Sequence, residues 1–356
     1  MAALACPLSY RLGAQRLRQA PLIRAPSTLY AVGGLYGNVP ALRAIQKLAL
    51  AEEATSGKPV TIVFNGDFNF FNASALWWRE LNEEIFSKHV ATAGNVEVES
   101  AAEEQPTGCG CGYPSYVSPG MVDRSDNIVS ALWTAAAAAG APELLGWLRE
   151  LPKALVAEVG AARTRVGIIH GDVESLAGWQ LGVEAMEPAD MGLRAALGCD
   201  DASGQATHLP TTPRERIVEW CADAEVDGLL CTHTCLPFGQ ILRGGGGEEA
   251  AADVAVFNNG SAGMPNFAGE RFGLITRVSD DTMTRPADSL YGGVTRGSLR
   301  WDALPVRYDH DEWIEMFEAR WPKGSDAFLS YHERLLHGPG GFERRQAARE
   351  GTELFR

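Results

Sequence analysis

Short apolar runs alternate with longer amphipathic stretches along most of this chain. Tyr30–Val32, Val60–Phe64, Val166–His170, Leu229–Cys231, Val254–Phe257 and Gly273–Val278 read as strands, and the first two end at glycine-containing turns. Between and after them, helical patterns cover Pro40–Glu53, Ala75–Ser87, Asp126–Ala139, Pro142–Leu151, Ser175–Met186, Pro213–Ala224 and Asp311–Trp321. Pro40, Pro142 and Pro213 each fall in a first helical turn, where a missing N–H costs nothing. Strands that alternate with helices predict an α/β sheet protein, whose ligands gather at the carboxyl ends of strands.

Two stretches break the pattern. Glu103–Gly120 is rich in Gly, Pro and Ser, and Arg243–Ala251 reads as a loop tip. With no internal repeat and no linker, residues 29–285 are expected to form one domain with a helical insertion near 100–160. Residues 1–28 are expected to be an N-terminal extension, and 286–356 a C-terminal helical extension packed on the same domain. The second extension matches no motif. Its Trp301, Trp313 and Trp321 read as packing residues, and its His310, His332 and His337 as surface or structural ones.

Composition narrows the partners. A chain of 356 residues, 46% apolar, can bury a full core. A formal charge of −14 with no basic face argues against nucleic acid, and no apolar run nears the roughly 18 residues that cross a bilayer. A small-molecule partner is the expectation, with oligomeric state left open. Seven cysteines are too sparse for a disulfide scaffold and odd in number, which reads as a reducing, cytoplasmic setting. The first acidic residue is Glu52, and several arginines precede it. The leader therefore reads either as an ordinary surface segment or as an organelle transit sequence.

Five strand ends carry polar clusters. They are Gly33–Asn38 (GGLYGN), Phe64–Phe71 (FNGDFNFF), Ala93–Glu99 (AGNVEVE), Ile168–Trp179 (IIHGDVESLAGW) and Cys231–Phe238 (CTHTCLPF), the last closely followed by Phe257–Pro265 (FNNGSAGMP). Each alone is a weak signal, since a Gly-Asp after a strand is most often a turn and a single histidine most often a core residue. In order, however, Asp67, Asn95, His170 and His233 supply one carboxylate, one amide oxygen and two imidazoles. That donor set suits a divalent Mn, Fe or Zn.

These motifs resemble the calcineurin-like metallophosphoesterases over roughly residues 29–280. GNVPAL, NGD, GNVE, THTCLPF and NNGSAGMP look like that family's GNLPAL, GD, GNHE, GHTHLPF and NPGSVGQP, in the same order. The resemblance implies an α/β four-layer sandwich, two mixed β-sheets flanked by helices. It also implies two metals sharing a bridging aspartate, with catalysis by metal-activated water. One metal would be held by Asp67, Asn95, His170 and His233, all present, which would also be the catalytic set. The other would need an acid at Gly34 and histidines at Tyr36 and Cys235, besides Asp67. The family's general-acid histidine falls at Val96.

One half-site is therefore kept and the other is altered. Tyr36 and Cys235 could rebuild it as phenolate and thiolate ligands. Cys109 and Cys111 read either as loop residues folded over the metal or as small residues in a glycine turn; with Asn38, Asn69 and Asn259 they are candidates for substrate contact. Glu97 and Glu174 are candidate bases. Loss of a general acid costs about a hundredfold to ten-thousandfold in rate, which favours an aryl or acyl phosphate with a good leaving group. The expected function is a divergent metal-dependent phosphoesterase-like hydrolase. The alternative is an inactive binding or scaffold protein that keeps a structural metal. A thiol-based redox protein using Cys109, Cys111 and Cys235 is a third reading.

Overall fold

The computed structural model describes residues 8–200, 209–244, 252–296 and 299–355. Thirteen strands lie among them. They are β1 (Leu22–Ala25), β2 (Thr28–Val32), β3 (Val60–Asn65), β4 (Val90–Thr92), β5 (Ala154–Val159), β6 (Thr164–Ile169), β7 (Gly228–Cys231), β8 (Phe238–Leu242), β9 (Val254–Asn258), β10 (Gly273–Ser279), β11 (Tyr291–Val294), β12 (Arg300–Val306) and β13 (Glu353–Leu354). They form a six-stranded sheet, β1-β5-β6-β7-β9-β8, and a seven-stranded sheet, β13-β11-β12-β10-β2-β3-β4. Both are mixed: β6, β7 and β9 run parallel, as do β2, β3 and β4, while the other neighbours are antiparallel except β1 with β5.

Strand periodicity explains why the apolar runs are continuous. Leu29, Ala31 and Val63 face the six-stranded sheet and pack with Leu155, Ile168 and Val256. Their neighbours Tyr30, Val32, Ile62 and Phe64 face the other way, onto Leu42, Ile45, Trp78, Ile85 and Leu132 of the flanking helices. A strand buried on both faces has no polar side, so its sequence does not alternate. Helices Val39–Ser56, Ala75–Lys88 and Pro119–Ala138 cover one outer face, and Arg214–Ala224 packs on the other. The four layers are those expected.

Three expectations change. Ser175–Met186 is a chain of turns, not a helix. The Asp172 carboxylate accepts the backbone N–H groups of Glu174, Ser175 and Gln180 and so competes with helical bonding. Its apolar side chains Leu176, Leu181, Val183 and Met186 are nevertheless buried, which accounts for the helical look of the pattern. The N-terminal segment supplies β1 to the six-stranded sheet, and the C-terminal segment supplies β11, β12 and β13 to the other, so neither is a purely appended extension. No helix among the described residues is long and apolar enough to cross a membrane.

Candidate metal centre

The parallel strands end on one rim, and the turns after them carry the centre. Asp67 follows β3, His170 follows β6 and His233 follows β7, and ligand atoms of all three lie within 4.8 Å of one another. His170 Nε2 is 3.3 Å from Asp67 Oδ1 and 3.2 Å from His233 Nδ1. The far nitrogen of each ring faces a carbonyl: His170 Nδ1 donates to Asn65 O at 2.9 Å, and His233 Nε2 to Cys111 O at 2.8 Å. A carbonyl only accepts, so each imidazole keeps its proton on the far side and turns a lone pair inward. Three acceptor atoms face one another, and they repel unless a proton or a cation lies among them. Ligands about 2.1 Å from a metal stand about 3.0–3.4 Å apart, the spacing of His170 Nε2 from each of the other two atoms.

Electrostatics follows from this arrangement. Burial works against charge on Asp67, but the His170 imidazole outweighs it and holds the carboxyl below its ordinary range. Burial also works against an imidazolium at His170, yet Asp67 raises its pKa. Burial and the neighbouring His170 push His233 down to about 4, so His233 is neutral at ordinary pH.

The Asp67 turn is held from behind. Asp67 has φ of 53°, a left-handed conformation uncommon outside glycine. The buried Glu97 carboxylate stabilises it by accepting Asp67 N at 2.6 Å, Phe68 N at 3.1 Å and Gly94 N at 3.0 Å. Burial, then the Asp67 charge, raises the Glu97 pKa to about 7. Glu97 is thus committed to the backbone rather than free to act as a base. Glu174 pairs with Arg216 and Trp220 away from the centre.

Asn95 opens the helix Asn95–Ser100 beside this turn. Its Nδ2 donates to Cys109 O at 2.9 Å, while its buried Oδ1 has no hydrogen-bond partner. The next residue, Val96, donates its N–H to Asp67 Oδ1 at 3.3 Å, so the orphaned amide oxygen belongs to a turn that touches the centre, which suits a fourth metal ligand. The residues present fit a divalent cation. Cys109 and Cys111 form a disulfide within the glycine turn. Their role here is through the backbone: Cys109 O fixes Asn95, and Cys111 O receives both His233 and the Trp179 indole, the latter at 3.0 Å. The disulfide is not what a reading of uniformly reduced thiols anticipates.

The altered half-site is repacked. Gly34, Tyr36 and Cys235 all have positive φ, at 62°, 56° and 62°. Tyr36 Oη meets Cys235 Sγ at 2.9 Å, and burial raises the pKa of both groups. A Cβ on residue 34 would sit 3.0 Å from the Tyr36 ring and hydroxyl, so the tyrosine fills the space that an acid there would need. Cys235 is outside the acid-and-imidazole group of Asp67, His170 and His233.

A cavity of about 510 Å³ opens over both half-sites and is lined by Asp67, His233, Tyr36, Cys235, Val96 and Cys111 among others. Asn38, Asn69 and Asn259 do not line it. Asn38 caps a helix through Ala41 N and donates to Gly263 O. Asn69 pairs with Asn82, and Asn259 donates to Gly33 O and Leu274 O. Their amides are taken up by the scaffold. Two residues without a signal in the motifs matter instead. Asn65 bridges the sheets, donating to Ile169 O at 2.7 Å while its own carbonyl orients His170. Arg334, from the C-terminal segment, reaches the cavity wall.

No protein-family model matches the chain, and no curated protein matches it either. Among solved structures it is similar to the hypothetical protein PH1004 from Pyrococcus horikoshii OT3, with a TM-score of 0.51 and 15% identity over 89% of this chain and 99% of that one. It is also similar to a metallophosphoesterase from Sphaerobacter thermophilus, with a TM-score of 0.48 and 14% identity over 88% and 99% of the two chains. The first likeness supports the fold, an α/β sandwich of two mixed sheets flanked by helices. At such identity the likeness speaks to fold alone, and the chemistry rests on this chain's own residues.

Proposed function

We propose that this chain is a hydrolase of phosphate-type esters that works with one divalent metal held by Asp67, Asn95, His170 and His233. One observation carries the reading: acceptor atoms of Asp67, His170 and His233 lie within 4.8 Å of one another, with His170 Nε2 3.2–3.3 Å from the other two, and Asp67 and His233 line a cavity. When bound, a divalent metal supplies Lewis acidity toward a phosphoryl oxygen and acidifies water. The chain does the positioning. Asn65 O and Cys111 O fix the two imidazoles, Cys109 O fixes Asn95, and Glu97 fixes the Asp67 turn. Such outer partners typically matter about 10–100-fold in metal affinity or activity.

Val96 lines the cavity and carries no proton. The family's general-acid position therefore supplies no proton, which favours aryl and acyl phosphates over alkyl ones. One observation favours the second reading, a metal-holding binding protein: the neutral Tyr36–Cys235 pair leaves the family's second metal with Asp67 alone. Turnover of p-nitrophenyl phosphate by protein reconstituted with Mn or Zn separates the two. Turnover that chelation and His233→Ala abolish is expected. Full metal loading without hydrolysis of any aryl or acyl phosphate would favour the binding protein.

A further inference from the structure

The cavity wall holds a positive charge that nothing neutralises. Arg334 lies on helix Asp326–His337 and donates through Nη2 to Cys235 O at 2.7 Å. Its Nε is buried and has no hydrogen-bond partner. No carboxylate among the described residues pairs with it. Its charge acts on the neutral groups of the altered half-site, Tyr36, Cys235 and Tyr331. The other carboxyl on this wall away from the metal ligands, Glu184, accepts from the Tyr116 hydroxyl at 3.1 Å through Oε1; its Oε2 is buried without a partner, and burial raises its pKa toward the neutral form. A half-buried guanidinium with an unpartnered buried Nε suits an anion, and its planar fork matches phosphate oxygens.

Much of the remaining wall is apolar, with Tyr116, Glu184, Thr234 and Gln346 as polar members. Phe70, Met121, Trp179, Leu193, Leu236 and Phe342 line it. The anionic end of a ligand would lie between Arg334 and the Asp67–His233 edge, and its body would bury against aromatic and aliphatic side chains.

We propose that Arg334 is the anion-binding residue of this cavity, standing beside the half-site that holds no second metal ligand set, and that the ligand is a phosphate-type anion carrying an aryl or similarly bulky apolar group. This rests on the single-metal reading above. It goes further in naming the residue that replaces the second cation and the shape of the substrate. The guanidinium offers directional donors where a second metal would offer a point charge, so it binds the anion without activating water.

The test is calorimetric binding of phenylphosphonate and of inorganic phosphate to Mn-reconstituted protein, with metal content and melting temperature measured on the same samples. Wild type should bind phenylphosphonate more tightly than inorganic phosphate. Arg334→Gln should weaken phenylphosphonate about tenfold to hundredfold, the usual worth of charge-assisted hydrogen bonds, with metal content unchanged. Arg334→Lys should recover part of the affinity, which a merely structural role through Cys235 O would not require. Arg334→Gln binding phenylphosphonate as wild type does, with metal in place, would overturn the role of Arg334 alone. Equal affinity of wild type for the two anions would overturn the apolar-body claim. Wild type without metal at saturating Mn would overturn the single-metal reading and this inference with it.

Discussion

The two sides of the Asp67 carboxylate differ in where their protons sit. On one side His170 and His233 give their protons to Asn65 O and Cys111 O and turn lone pairs inward. On the other side Tyr36 and Cys235 keep their protons: Tyr36 Oη and Cys235 Sγ share one hydrogen bond at 2.9 Å, and Cys235 Sγ donates to His233 O at 3.3 Å. Burial is similar on both sides, so burial does not separate them. What separates them is the backbone carbonyl behind each imidazole, which leaves a lone pair free, against a phenol and a thiol whose ionisation burial suppresses. A metal-binding half-site is made as much by the acceptors behind its ligands as by the ligands.

The largest break in this comparison is Asp67→Asn. Asparagine tolerates the left-handed backbone and keeps the shape, but it removes the charge. Metal retention should collapse, and at saturating Mn the variant should lose the stabilisation that bound metal gives, about 2.7 kcal/mol at a hundred times the dissociation constant. Thermal melting with and without Mn reads it; an unchanged Mn-dependent shift would contradict the ligand assignment.

Next in size is Gly34→Asp. The left-handed backbone and the Tyr36 ring, 3.0 Å from the new Cβ, should cost about 1–3 kcal/mol. In a Tyr36→His background the cost should shrink, because the smaller ring vacates that space. Urea denaturation of both variants checks the coupling; strictly additive costs would show that the Tyr36 ring is not what opposes a side chain at residue 34.

A smaller effect is pH. Without metal, the His170 pKa is raised above 6.5 because Asp67 outweighs burial. That contribution is fully present below the unfolded histidine pKa and is lost as pH rises through the raised value. With metal, His170 must be unprotonated, so the metal-loaded protein gains stability as pH rises to the unfolded histidine pKa and stays level above it, while the metal-free protein goes on losing stability up to the raised value. The gap between melting curves in Mn and in chelator should widen with pH, by at most about 1.4 kcal/mol per unit for one proton. Parallel curves would mean that no proton leaves on binding.

Much of this was legible before the structure. Asp67, His170 and His233 each follow a short apolar run, and that position alone placed them on one rim of a parallel set. The Ser175–Met186 helix was not, because an Asp172 side chain that captures three N–H groups leaves no trace in apolar spacing. Asn38, Asn69 and Asn259 were read as substrate contacts because they stand in the right turns, and a turn does not say which way an amide points. For Asn38 a better signal existed: Asn followed two positions on by Pro40 is a helix-capping pattern. Arg334 lies 99 residues beyond Cys235 and β11–β13 pair far from their sequence neighbours, so only tertiary structure brings them to the site and the sheet.

The most direct test counts the metal. Protein purified, stripped and dialysed against Mn or Zn should hold one equivalent per chain by elemental analysis, and Tyr36→Phe with Cys235→Ala should hold the same one. Two equivalents in wild type, falling to one in that double variant, would show that Tyr36 and Cys235 are ligands after all. No bound metal in wild type would contradict the account outright.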